Sequence, residues 1–216
     1  MAHGCQAGLQ QEACDKVYRD RISRGGEAYA VNKLGAFGSD LGAVACFFET
    51  PWSRVSPALK EADQAWLLNE AAFRLRALGR LTESLEPMQA GLENYVKQES
   101  WGYAARLAGN LSELELTLGA VAGAVRDAEQ SVDYADRSGD AFMRMASCTT
   151  HADALHQAGR RAEAETRFRK AEQMQAERQP EYPLLYSVQG FQYCDLLLAQ
   201  TERAAFSIAD CGLRIC

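Results

Sequence analysis

Three groupings of side chains have the types that could do chemistry, and their spacing decides what each can do. His151 and His156 flank Asp153, the donor set of a zinc site. Histidines five apart on a helix point about 140° away from one another, whereas a helical zinc pair needs them four apart on one face. No metal site is expected: His151 reads as a hydrogen-bonded core residue and His156 as a side chain facing a groove. Gly38-Ser39-Asp40-Leu41-Gly42 places a serine among glycines, but a G-x-S-x-G elbow would need glycine where Phe37 stands and a strand before it. That segment reads as a helix cap. Arg160, Arg161, Arg167, Arg169 and Lys170 are interleaved with Glu163, Glu165 and Glu172, which makes a solvated helix face with internal ion pairs, not a nucleic-acid stripe. Nucleophile, base and orienter recur nowhere at a plausible spacing. No catalytic residue, no cofactor and no enzyme activity are expected.

The seven cysteines, at 5, 14, 46, 148, 194, 211 and 216, are odd in number and form no C-x-x-C. Reduced thiols are the better reading, with Cys46, Cys148 and Cys194 as small buried hydrophobes and Cys216 exposed. A formal charge of -6 disfavours nonspecific attraction to nucleic acid or to an anionic membrane. The first twenty residues carry Glu12, Asp15, Lys16, Arg19 and Asp20 where a signal peptide would have its apolar region. The longest apolar run, Leu41 to Phe48, is far short of the ~20 residues of a membrane helix. A cytoplasmic protein with no membrane and no nucleic-acid partner is expected.

The elements that would carry such side chains are set out by glycines at 79, 119 and 159, two steps of the same length. Each closes an apolar segment of helical period, in Leu78-Gly79, Leu118-Gly119 and Ala158-Gly159, and each precedes another such segment. That is a helix-turn-helix unit whose glycine supplies the left-handed residue, and a fixed period of this length marks a solenoid. Aligned on the glycine, the second helices place Ser84, Ala124 and Ala164 at one point, Met88, Ala128 and Phe168 four further on, and Gly91, Ser131 and Ala171 three beyond that. Small side chains at recurring points let helix axes approach while a larger one fills the hole between them. Pro87 falls inside one of these helices and should bend its first turn. Before them, Gln11 to Lys33 reads as two helical pieces interrupted at Arg24-Gly25-Gly26, and Phe37, Leu41, Val44, Ala45 and Phe48 as the stripe of a further helix. Ser56-Pro57 reads as a helix start, with the helix itself running from Pro57 or Asp63 to Leu78, and Ser100 and Asp140 read as N-caps. After Pro183 the apolar residues resume with Leu185, Val188, Phe191, Cys194 and Leu198, followed by a last helix from Thr201 to Asp210.

This register resembles the tetratricopeptide repeat. Numbered from fourteen before each glycine, Ala72, Ser112 and Ala152 match the family's small eighth position, Ser84, Ala124 and Ala164 its twentieth, and Phe168 its aromatic twenty-fourth, where Met88 and Ala128 depart. The period of 40 residues is longer than the family's usual 34. The resemblance covers residues 27 to 200 and implies an all-α, right-handed solenoid of four to five antiparallel helix pairs: an atypical helical repeat over 1–56, the array over 57–200 and an incomplete C-terminal helix over 201–216. Ala65 to Ala71, Leu78 to Leu81, Asn110 to Leu114 and His156 to Arg160 are also similar to the repeat arrays of bacterial signalling ATPases of the NACHT/STAND type. The chain holds no G-x-x-x-x-G-K-[ST], so no nucleotide chemistry carries over.

The tetratricopeptide resemblance further implies a concave groove for a protein or peptide, lined from the second, fifth, ninth, twelfth and thirteenth positions of each unit. Here these are Trp66, Asn69, Phe73 and Arg76, then Arg106 and Glu113, then Asp153 and His156, with Tyr186, Gln189 and Tyr193 if the register persists. Aromatic, arginine and amide side chains supply flat apolar area and donors for peptide; the competing reading is an ordinary wet surface. Asn69 matches the family's carboxylate clamp, whose lysines have no counterpart here. Two functions are carried forward: a noncatalytic protein-protein interaction module, and a regulatory fragment of a larger signalling NTPase. In the second, the surfaces serve intramolecular contacts or self-association through an uncapped C-terminal end.

Overall fold

Glycine ends the first helix of each pair as its spacing predicts, and the backbone shows how. In the computed structural model Gly79, Gly119 and Gly159 have φ of 73°, 80° and 77°. The residue after each returns its N–H to a carbonyl five back: Arg80 to Leu75 at 2.9 Å, Ala120 to Glu115 at 2.8 Å and Arg160 to Leu155 at 2.9 Å. These are Schellman closures, which satisfy carbonyls a helix end would otherwise leave open. The structure describes residues 1–213; the side chains of Arg203 and of residues 206–213 lie outside the description, and with them the Cys211 and Cys216 of the cysteine reading.

The described residues form eleven α-helices and one two-stranded hairpin, and the chain divides into two compact units, Met1–Leu107 and Ala108–Cys216. In the first, α1 (Ala2–Gln6) and α2 (Gln10–Glu12) lead into a π-helical stretch, Ala13–Ser23. Its buried positions Ala13, Tyr18 and Ser23 are five apart, which the wider winding of i→i+5 bonding brings nearer one face than α-helical winding would. Arg24, at φ 54°, ends it. A 3-10 turn at Gly25–Glu27, α3 (Tyr29–Asn32) and α4 (Phe37–Ala45) follow. The two helical pieces expected between Gln11 and Lys33 are thus four short elements.

Phe48, expected on α4, opens strand β1 (Phe48–Thr50), which pairs antiparallel with β2 (Arg54–Val55) around Pro51-Trp52-Ser53. Ser56 does not start a helix: its N–H donates to the Phe47 carbonyl at 2.8 Å, holding it to the end of the hairpin. The helix α5 begins later, at Glu61, and runs to Ala77; α6 (Leu81–Lys97) pairs with it. Glu99, at φ 53°, takes glycine's part after α6, with Ser100 N–H on the Tyr95 carbonyl at 2.9 Å. Tyr18, Phe47, Val44, Leu59, Leu67 and Ala71 are in the core of this unit.

Helix α7 (Trp101–Thr117) runs across the division between the units. The second unit continues with α8 (Val121–Ser138), α9 (Ala141–Gln157), α10 (Arg161–Arg178) and α11 (Ser187–Leu213), consecutive helices packing on one another. Asp140 caps α9 as expected, accepting from Met143 N–H at 2.8 Å. Every small position of the aligned register is buried, among them Ser84, Ala124 and Ala164, and so are Met88, Ala128 and Phe168 between them. At Gly91 an added Cβ would lie 3.1 Å from Leu107 Cδ2. The ion pairs expected on α10 form, Arg160 to Glu163 at 2.6 Å and Arg169 to Glu165 at 2.6 Å.

Helix α11 crosses the Ala199–Thr201 position, where the sequence reading places a boundary, without a break. It starts abruptly at Ser187, φ 57°, and a Cβ at Gly190 would meet the Leu185 carbonyl oxygen at 2.6 Å. Of its expected apolar residues Leu185 packs on the core, while Val188, Phe191, Cys194 and Leu198 are exposed. Leu196 and the partly buried Tyr193 fill the core side instead. Among the described residues no helix is long and apolar enough to cross a membrane.

Candidate functional site

The residues expected to line a groove fall in both units. On α5, Trp66, Asn69, Phe73 and Arg76 recur at three- and four-residue steps and so share a face. Trp66 is only partly exposed, because the N-terminal segment packs on it: the Arg19 guanidinium is 4.5 Å from its ring centroid and the Tyr18 ring 5.6 Å away. Phe73 is half exposed, 6.2 Å from Phe37, Asn69 and Arg76 are partly buried, and Arg106 on α7 is exposed beside the exposed Tyr103.

In the second unit two of the named residues meet. Glu113 near the end of α7 and Asp153 on α9 line one cleft of about 390 Å³ together with Leu116, Thr117, Val121 and Gln157. Burial raises the Asp153 carboxyl above its ordinary range, with Asp195 adding to the shift and Gln157, His156 and Gln192 opposing it. Gln192 Nε2 donates to Asp153 Oδ2 at 3.4 Å.

His156, expected in the groove, is buried; its Nε2 lies 3.3 Å from Asp195 Oδ2, because α11 packs over that side of α9. Tyr193 is also drawn into the core, stacked on Phe168 at 4.9 Å and 14°. Tyr186 is exposed and donates to Gln179 Oε1 at 3.1 Å, and Gln189 is partly buried. His151 is core as expected, but among the described residues its buried Nδ1 finds no hydrogen-bond partner.

Two polar groupings escaped the sequence reading. In the first unit Arg74 is fully enclosed and holds Asp40, Glu70 Oε2 at 2.8 Å and the Glu70 carbonyl at 2.9 Å, while Tyr18 donates to Asp40 at 3.2 Å. Asp40 is therefore a buried ion partner and not a helix cap. The detectable signal was an arginine on the apolar side of α5, between Ala71 and Leu75.

In the second unit Glu115 on α7 faces Asp127 on α8, and an added Cβ at Gly123 would lie 2.7 Å from the Glu115 carboxylate. Nothing in a helical period announces that pair.

Cys14, Asp15 and Asp63 bring ligand-type atoms within 4.8 Å of one another. Both Asp63 oxygens are engaged at 2.7 Å, by Gln11 and Arg19, and burial with the nearby Asp63 carboxylate pushes the Cys14 thiol up to about 12. A protonated thiol and a carboxylate already held by two donors are a poor donor set for a cation.

Compared with known proteins, the chain matches no family model, no curated protein and no solved structure.

Proposed function

We propose that this chain is a noncatalytic protein-interaction module of the tetratricopeptide-like kind, a right-handed stack of helix pairs that holds a protein or peptide along the faces of its first helices. The observation that carries the reading is the cleft shared by Glu113 and Asp153. Counted from fourteen before each turn glycine, both stand at the ninth position of their units, a position that the resemblance assigns to the ligand face. Carboxylates, an amide and a hydroxyl beside Leu116 and Val121 offer hydrogen bonds to a peptide backbone and apolar area to its side chains.

The test is selection of peptides from a displayed random library on the full chain, then binding of the selected peptides to a Glu113→Lys/Asp153→Lys variant. Arg167→Glu, on α10, serves as the control surface. Loss with the double variant and retention with the control are expected. Peptides that bind all three proteins equally, or a library that yields no enriched sequence, would overturn the reading, provided the variants keep the wild-type circular-dichroism melt.

A further inference from the structure

Among the described residues, α11 carries more exposed large apolar side chains than any other helix of the second unit. Leu184, in the segment leading into the helix, is 66% exposed, Val188 56%, Phe191 75% and Leu198 54%, and Cys194 is exposed between them. Tyr193 and Leu196, each two positions from a member of this set and therefore about 200° around the helix, fill the core side. The helix thus has two apolar sides, one of which no described element covers. Together the five exposed side chains present on the order of 500 Å², at the upper end of what a monomer leaves contiguous.

Their order says what fits. Within the helix Val188 and Cys194 lie three positions before and after Phe191, so the centre of the stripe reads the same in both directions. Two copies of α11 laid antiparallel about a two-fold axis at Phe191 set Phe191 on its symmetry mate and Val188 on Cys194. A face that must match itself under a two-fold is the requirement of an isologous dimer, and a foreign helix imposes no such symmetry. The charge pattern agrees. From Leu184 to Gln200 the sequence carries one carboxylate, Asp195, four residues after Phe191 and 42% exposed, with His156 at 3.3 Å. Under the two-fold each Asp195 falls opposite Ser187 of the second copy, so two chains of net charge -6 meet here without setting the carboxylates against one another.

We infer that the Val188-Phe191-Cys194-Leu198 face of α11 is a self-association surface on which a second copy of this chain docks, antiparallel and two-fold about Phe191. Its area is about two-thirds of one side of a standard interface, which places the dimer in the weak, micromolar class. The cleft at Glu113 and Asp153 is lined by other residues, so the two functions are separable.

Sedimentation velocity of the full chain from about 2 to 200 μM, a range chosen to bracket a micromolar constant, should show a monomer converting to a dimer. Phe191→Glu should remain monomeric throughout with an unchanged circular-dichroism melt, since Phe191 is largely solvent-exposed. The register has its own readout. Under mild diamide oxidation Val188→Cys should form a disulfide with native Cys194 of the second copy, and the added change Cys194→Ser should abolish it. A wild-type chain monomeric at every concentration overturns the proposal, as does a dimer that survives Phe191→Glu. A dimer in which Val188→Cys fails to reach Cys194 overturns the antiparallel register.

Discussion

Arg74 donates its Nε–H to the carboxylate of Asp40, 34 residues earlier in the chain, and both side chains are almost wholly enclosed. Burial drives the neighbouring Glu70 carboxyl up while Arg74 pulls it back down, so one guanidinium serves two carboxylates away from water. Removing one partner of such a group leaves an uncompensated charge, a cost of about 3–5 kcal/mol. Arg74→Met should therefore lower the unfolding free energy by about that amount. Arg74→Met with Asp40→Asn and Glu70→Gln together should recover most of the loss, because no buried charge is left unpaired. Urea unfolding of the single and triple variants measures both; a single variant within about 1 kcal/mol of wild type would show that the network contributes little.

The turn glycines make a prediction of opposite sign at two positions of the same residue type. Gly119, at φ 80°, has open space around its missing Cβ, so any penalty for alanine comes from the backbone alone. Gly119→Ala should cost about 1–2 kcal/mol. Gly102 lies within α7 and also has open space, and there Gly102→Ala should stabilise by about 0.5 kcal/mol. Thermal melts of the two variants should move in opposite directions. Equal shifts would mean that the left-handed conformation does not set the turn.

Those glycines explain why so much of the helix pairing was legible in the residues. A Schellman turn, a capping Asp140 and an alternation of small and large side chains are local, and their spacing survives in one dimension. Ser84, Ala124 and Ala164 announce close packing without any knowledge of what they pack against. The N-terminal region offers no such handle. Tyr18, Asp40 and Arg74 are brought together over separations of 22 and 34 residues, and a hairpin of three- and two-residue strands is too short for alternation to show. On α11 both sides of the helix are apolar, so periodicity finds a stripe but cannot say which stripe faces inward. Glu113 and Asp153 were legible as a pair because the repeat register sets both at one position of their units, and they line one cleft; His156 was not recognisable as buried because Asp195 reaches it from a different helix.

His151 gives a direct probe of the packing of α9. Burial holds its imidazole pKa below the ordinary value, and the nearby Arg167 acts in the same direction. The unfolded chain then takes up a proton at a higher pH than the folded one, so this contribution to stability is complete above about 6.5 and is lost as pH falls through the folded value. In a proton NMR titration the His151 C2 resonance should move at a pH below about 6.5, the value of an unperturbed histidine. A midpoint for His151 at or above about 6.5 would contradict its burial.

Glu115 contributes in the reverse sense. Burial first, then the Asp127 carboxylate and a hydrogen bond to it, raise the Glu115 carboxyl to about 7. Among the described residues its buried Oε2 accepts from no N–H or O–H donor, and Arg126, which eases the pair, spends an Nη1–H on the Ala122 carbonyl at 3.1 Å. A proton held on Glu115 and donated to Asp127 reconciles two carboxyl groups placed together. The folded chain keeps that proton where the unfolded chain, near its ordinary 4.5, has lost it. Stability from this pair is therefore complete at acid pH, declines as pH rises from that unfolded value through about 7, and is level above. Glu115→Gln carries a permanent N–H donor and should match wild type at about pH 5 while melting at a higher temperature at about pH 8. A variant that is less stable than wild type at the higher pH would show that Glu115 is ionised in the fold and that Asp127 is compensated from elsewhere.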